Sequence, residues 1–188
     1  MASDVAGETS LLLDSEDVPP VHECNAAGAS PFLFACDHYG RLLPKRLGDL
    51  GLPESELVRH IAWDIGIAGV AERLATLCDA HLIAQRYSRL VIDCNRPPGA
   101  VSSIPRLSEA TVVPGNEQLS REAVEMRRRE IFDPTIVASM RSSTGVCTSE
   151  GRQCWWLCTA SLPTMPAQRG PGISARSTTA TGRCRCSW

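Results

Sequence analysis

The feature that most limits what this chain can build is a change of character at the Pro134/Thr135 junction. Residues 1–134 carry 13 Lys+Arg against 20 Asp+Glu, whereas residues 135–188 carry 6 against 1. The formal net charge of -2 hides that split. The last 54 residues also hold five of the nine cysteines, no Lys and no His, and show neither helical nor alternating periodicity. Without such a period no face of a helix or strand can be buried consistently. The expected organisation is an N-terminal arm over 1–30, partly disordered, a folded domain over 31–134, and an aberrant, disordered tail over 135–188.

The arm has a three-leucine patch, acidic residues and paired prolines, with no sustained period. At 188 residues the chain is long enough to bury a core without disulfides. Cys24, Cys36, Cys78 and Cys94 are scattered singly in apolar context, as free thiols of a reducing compartment are. With no apolar run of membrane-spanning length and no signal peptide, the expectation is a soluble, cytoplasmic protein.

Pro31–Cys36 (PFLFAC) reads as a central strand that delivers Asp37 and His38 at its C-terminal end, the end where ligands sit in open α/β sheets. That pair suits a metal ligand or a general base, and equally a surface His in a turn. Leu47–Leu52 reads as a turn of helix closed at Gly51. From Ser55 to Leu77 apolar residues recur at helical spacing, which predicts one long helix with His60 and Asp64 at i and i+4 on one face. Such a pair either orients itself at a site or forms a plain surface contact. Ala80–Gln85 reads as a second strand. Tyr87–Arg96 (YSRLVIDCNR) follows, and its apolar run Arg89–Cys94 predicts a third, buried strand, ending at Pro97-Pro98. Ser88, Arg89, Asp93, Asn95 and Arg96 crowd its ends. Guanidinium forks there suit a carboxylate ligand, and a strand with solvated ends and one Arg-Asp pair is the plainer alternative.

DHYGRLLP, HIAWDIGIAGVAERLA and YSRLVIDCNRPP, in that order and at these separations, resemble the N-formylglutamate amidohydrolase (N-formylglutamate deformylase) family. The resemblance covers about Pro31 to Pro134, continuing through the loop with Pro114, Gly115 and Asn116, the polar helix Arg121–Glu130 and IFDP. It implies an α/β fold, a three-layer α/β/α sandwich with a mixed sheet similar to that of zinc carboxypeptidases, here C-terminally truncated. It also implies metal-dependent hydrolysis of a formyl or related acyl amide of an acidic amino acid, N-formylglutamate itself in one histidine-degradation route. The implied partner is a small-molecule N-acyl amino acid, with no nucleic acid and no membrane. The implied cofactor is Zn²⁺ or another divalent metal, weakly bound or lost here. Carried onto this sequence, Asp37 and His38 match the metal-binding pair. Ser88, Arg89, Asn95 and Arg96, with Arg41 and Asn116 as weaker candidates, match substrate-binding positions. His60 and Asp64 match a catalytic or supporting helix motif.

After IFDP the family continues with a Tyr-His pair, a helix, a strand ending in His-Ser-Phe and an Arg-Pro-Trp segment, all absent from this tail. Permitted codons for the tail, read from the third base, admit one sequence that restores the helix, the strand, an HSFTP block and an RPW block in family order. The expectation is a single-base deletion before Thr135, with Cys158 marking where a second metal-associated histidine belongs. A chain so altered is expected to be inactive. Two alternatives stand beside it: an amidohydrolase for another N-acyl amino acid or small peptide, and a non-enzymatic module whose tail binds metal through Cys154, Cys158, Cys184 and Cys186.

Overall fold

The computed structural model describes residues 11–144 and the backbone of 153–156. Four strands form a mixed sheet in the order β1-β3-β2-β6, where β1 is Val21–Cys24, β2 is Phe32–Cys36, β3 is His81–Gln85 and β6 is Gln153–Trp156. β2 runs parallel to both β3 and β6, and β1 is antiparallel to β3. A separate small hairpin pairs β4, Leu107–Ser108, with β5, Thr111–Val112. The helices are α1, Glu54–Leu57; α2, Ile67–Leu77; α3, Arg121–Arg127; and α4, Asp133–Thr144, with a π-helical stretch, Arg128–Phe132, joining the last two. Among the described residues no helix is long and apolar enough to cross a membrane.

The pleat explains how the sheet is covered. Phe34, Cys36, Leu82 and Ala84 point to one face and pack against Ile67, Ala71 and Ala75 of α2. Gln85, of opposite parity, points to the other face, where its Nε2 donates to Thr135 Oγ1 of α4 at 2.6 Å and to the Ile131 carbonyl at 3.3 Å. A second core lies beyond the strand ends and gathers Leu12, Leu50, Leu57, Tyr87, Leu90, Val91, Val113, Ile131 and Phe132.

The strands expected at 31–36 and 80–85 form, but four expectations of local structure do not hold. The run Arg89–Cys94 is not a strand: it is a buried loop of turns. Its amides bond locally and to a neighbouring loop, Val91 N to Ser88 O and Asp93 N to Ser103 O, while the carbonyls of Leu90 and Val91 accept from Asn116 and Arg127 side chains. Apolar loops need such side-chain partners for their backbone, and here they have them. The long helix 55–77 is broken. Between α1 and α2 the chain turns, and its carbonyls are captured: Arg89 takes those of His60 and Ile61 at 2.6 and 3.0 Å, and Ser88 Oγ takes that of Ala62 at 2.7 Å. Gly66, at φ 84°, restarts the helix.

The third concerns the segment 11–30 of the expected arm. It supplies β1, tucks Leu12 into the core at 3% exposure and ties its amides to Glu130. The fourth is the break at 134/135, which the backbone does not show. α4 runs across it, and Thr135 and Ser139 are buried with their hydroxyls bonded one turn back to Ile131 O and Thr135 O. Apart from 153–156, the tail beyond Thr144, with four of its five cysteines, lies outside the described residues.

Candidate functional site

His38 follows β2 directly and its side chain lies between two carboxylates. Its Nε2 donates to Asp93 Oδ1 at 2.8 Å, and its Nδ1 lies 3.5 Å from Asp64 Oδ2. Three chain segments have to meet for this. Asp64 comes from the turn before α2, whose amide also bonds the His38 carbonyl at 3.0 Å, and Asp93 comes from the loop after β3. Gly40 permits the approach of β2's exit to that loop, since a Cβ there would lie 2.0 Å from the Arg86 carbonyl.

Burial works against the imidazole's charge, but the hydrogen bonds to Asp64 and Asp93 outweigh it, and the pKa rises from 6.5 to about 9. At neutral pH His38 is therefore an imidazolium donating from both nitrogens. Arg89 Nη1 sits 3.3 Å from His38 Nδ1 and the same distance from Asp64 Oδ1. With Nδ1 protonated, the two cations share Asp64 instead of bonding each other. Because the folded pKa lies above the unfolded one, the stabilisation is fully present below pH 6.5 and is lost as pH rises through about 9. The urea midpoint should fall over that interval, and His38→Gln should remove that part of the fall. A slope unchanged in the variant would assign it to other groups.

The expected site residues separate into two sets. His38, Asp64 and Arg89 come together at the C-terminal end of the parallel strands, and Asp37, buried, is beside them in sequence. Arg96 is 55% exposed at its side chain and reaches Asp93 at 3.8 Å. Asn95 is exposed, with its amide on Asp93 Oδ1. The others face elsewhere. His60 does not share a helical face with Asp64: its Nε2 bonds Glu109 Oε1 at 2.7 Å on the hairpin, and only its carbonyl meets Arg89. Arg41 pairs with Glu54 at 2.9 Å and lies over Trp63. Ser88 is spent on the Ala62 carbonyl, and Asn116, 2% exposed, on the carbonyls of Leu90 and Pro105.

Two residues matter more than the sequence suggested. Asp93 is the closest partner of His38, and the signal for it was its place at the end of the apolar run that carries Arg89. Arg127 is a buried guanidinium at 1% exposure, donating to Asn116 Oδ1 at 2.6 Å and to the carbonyls of Val91 and Gly115. Nothing in the run RRR at 127–129 marks which arginine turns inward.

His38 Nε2 and Asp93 Oδ1, 2.8 Å apart, are at hydrogen-bond distance and closer than two ligands of one zinc ion, and a catalytic metal takes three protein ligands. Among the described residues the one group of three donors close enough to share an ion is His22, Cys24 and Glu72, away from His38. The donor set around Asp37 and His38 therefore does not by itself fit a zinc centre.

A family model described as N-formylglutamate amidohydrolase matches residues 30–176, so the family pattern runs on past the Pro134 limit seen by eye. Two solved structures are similar. The gene product Atu2144 of Agrobacterium tumefaciens is 34% identical with a TM-score of 0.70, covering 71% of this chain and 53% of its own. An N-formylglutamate amidohydrolase from Ralstonia eutropha JMP134 is 18% identical with a TM-score of 0.56, covering 69% and 52%, and shares the fold. This chain thus spans about half the length of the structures it matches. No curated protein matches it significantly. With more than half of its residues matched by that model, and with a 34% identical solved structure sharing its fold over 71% of its length, the chain belongs to the N-formylglutamate amidohydrolase family.

Proposed function

We propose that the site serves hydrolysis of a linear amide, with N-formylglutamate or a closely related N-acyl acidic amino acid as substrate, on a three-layer α/β/α framework. The observation that supports this best is the Asp64–His38–Asp93 arrangement beside Arg89 at the C-terminal strand ends, inside the residues the family model matches. Arg96, exposed next to Asp93, is the cation that reaches a substrate carboxylate, with Asn95 beside it. Arg89 spends most of its donors on the turn at 60–62 and so positions Asp64 and His38. Ser88 and Asn116 hold the loop from beneath.

The reading takes Zn²⁺, or another divalent metal, as cofactor; Asp37 and His38 would hold it once the ring has lost a proton and released one of its carboxylate hydrogen bonds, together with a further ligand from outside the described residues. We propose further that the chain as given has little or no activity, part of its tail from Thr135 being out of frame even though the family match runs to residue 176. The test is release of formate from N-formylglutamate, with and without added Zn²⁺. A rate above background that is unaffected by His38→Ala would reject the site.

A further inference from the structure

We propose that His22, Cys24 and Glu72 form a Zn²⁺ site that ties the edge strand β1 to helix α2, apart from the His38 site. His22 and Cys24 are two apart on β1 and so project from the same face; their partners in register, Ala84 and Leu82, face α2 as well. Glu72 rises from α2 to meet them. His22 Nε2 lies 3.0 Å from Cys24 Sγ and 3.7 Å from Glu72 Oε1, and all three donor atoms fall within 4.8 Å of one another. Tetrahedral zinc with nitrogen, sulfur and oxygen ligands at about 2.0–2.3 Å needs ligand atoms about 3.4–3.6 Å apart, so His22 and Glu72 are already spaced for it, Cys24 Sγ has to move back from His22 by about half an ångström, and Sγ and the carboxylate have to settle from within 4.8 Å. One imidazole, one thiolate and one carboxylate suit a borderline-soft ion and not Ca²⁺ or Mg²⁺, which take oxygen ligands.

The surroundings look built as well. Tyr39 donates its hydroxyl to Glu72 Oε1 at 2.5 Å and stacks on His22 with ring centroids 5.1 Å apart, fixing both ligands. Such outer hydrogen bonds orient metal ligands. Arg86 opposes the ion: its Nη2 lies 3.1 Å from His22 Nδ1, where it adds positive charge and favours the tautomer with the proton on Nε2. It has a second acceptor in the Pro19 carbonyl to which it can retire. His22 and Cys24 precede the first residue matched by the family model, so two of the three ligands lie outside the matched span, while Glu72 lies within it.

Co²⁺ titration of the full chain tests this, since a thiolate ligand gives a charge-transfer band that Zn²⁺ then displaces. The band should appear with one equivalent bound through Cys24 and should vanish in Cys24→Ser with an unchanged far-ultraviolet circular dichroism spectrum. Affinity should fall at least about 100-fold in Glu72→Gln and about 10-fold in Tyr39→Phe, the range that ligand-supporting contacts span. The band should persist when the five cysteines from Cys147 onward are all replaced by Ser; loss there would assign it to the tail and overturn the proposal. Arg86→Gln gives a measurement that does not depend on a damaged ligand. Its amide oxygen accepts from Nδ1–H and frees Nε2, so binding should tighten about 10-fold. Unchanged or weaker binding in Arg86→Gln, or a band untouched in Cys24→Ser, would equally overturn it.

Discussion

Arg127→Ala is expected to cost about 3–5 kcal/mol of stability, a large fraction of the roughly 5–15 kcal/mol that a domain possesses. The reason lies in what the guanidinium solvates. Among the described residues no carboxylate pairs with it and its Nε finds no partner; its charge is carried by the Asn116 side chain and the carbonyls of Val91 and Gly115. Burial pulls its pKa down to about 10, which still leaves it charged at neutral pH. Asn116 in turn holds the carbonyls of Leu90 and Pro105, and the Gly115 amide bonds Leu50 O, so one side chain locks the loops at 89–94 and 113–117 onto α3. Truncation leaves several buried acceptors unpaired, at about 1–3 kcal/mol each, in addition to a cavity. Arg127→Lys should recover little, because an ammonium cannot span the fork. Arg96→Ala, on an exposed side chain in a 3.8 Å pair, should change stability by no more than about 0.5 kcal/mol. Urea unfolding decides the matter: a loss below about 1 kcal/mol for Arg127→Ala would mean that the loops hold their shape without it.

That result bears on why the sequence revealed only part of the fold. β2 and β3 were legible because each is a short, bounded apolar run; α3 was expected only from the family resemblance, and Ser120 caps its start, accepting from Ala123 N at 3.1 Å. The Arg89–Cys94 run has the same composition as a buried strand, and composition does not say whether backbone groups will be paired by a neighbouring strand or by Asn116 and Arg127, which lie more than twenty residues away. The helix at 55–77 failed for a related reason. Its periodicity was real, but Arg89 and Ser88 outbid the helix for three of its carbonyls, and Ile65 ended 65% exposed. α4 escaped notice because its inward face is made by Thr135 and Ser139, whose hydroxyls satisfy themselves on the preceding turn. The candidate site was legible as letters, His38 and Arg89 near strand ends and Asp64 on the expected helix, and illegible as pairings: no spacing rule says that His38 takes Asp93 while His60 turns to Glu109.

Restoring one base before codon 135 is expected to convert a chain with little or no N-formylglutamate hydrolysis into a Zn²⁺-dependent hydrolase. The argument starts from the ligand shortage: around His38 the described residues bring two donor atoms together, and both imidazole nitrogens are engaged by carboxylates. Amide hydrolysis needs a polarised carbonyl and a water held in line with it, and an incomplete donor set fixes neither. On the proposed frame, one permitted reading of the tail places a histidine where Cys158 now stands. In the repaired protein His38→Ala should abolish turnover. Arg96→Ala should leave kcat nearly unchanged and raise KM by a factor set by one or two charge-assisted hydrogen bonds, about 1.5–3 kcal/mol each. Arg89→Ala should lower kcat, because it frees the carbonyls of His60 and Ile61 and with them the turn that carries Asp64. Comparing N-formylglutamate with an analogue lacking the side-chain carboxylate separates the two: the Arg96→Ala penalty should shrink on the analogue and the Arg89→Ala penalty should not. Robust metal-dependent turnover by the unrepaired chain would sink the frame argument, and a repaired chain that folds but releases no formate would mean that the substrate is another N-acyl amino acid.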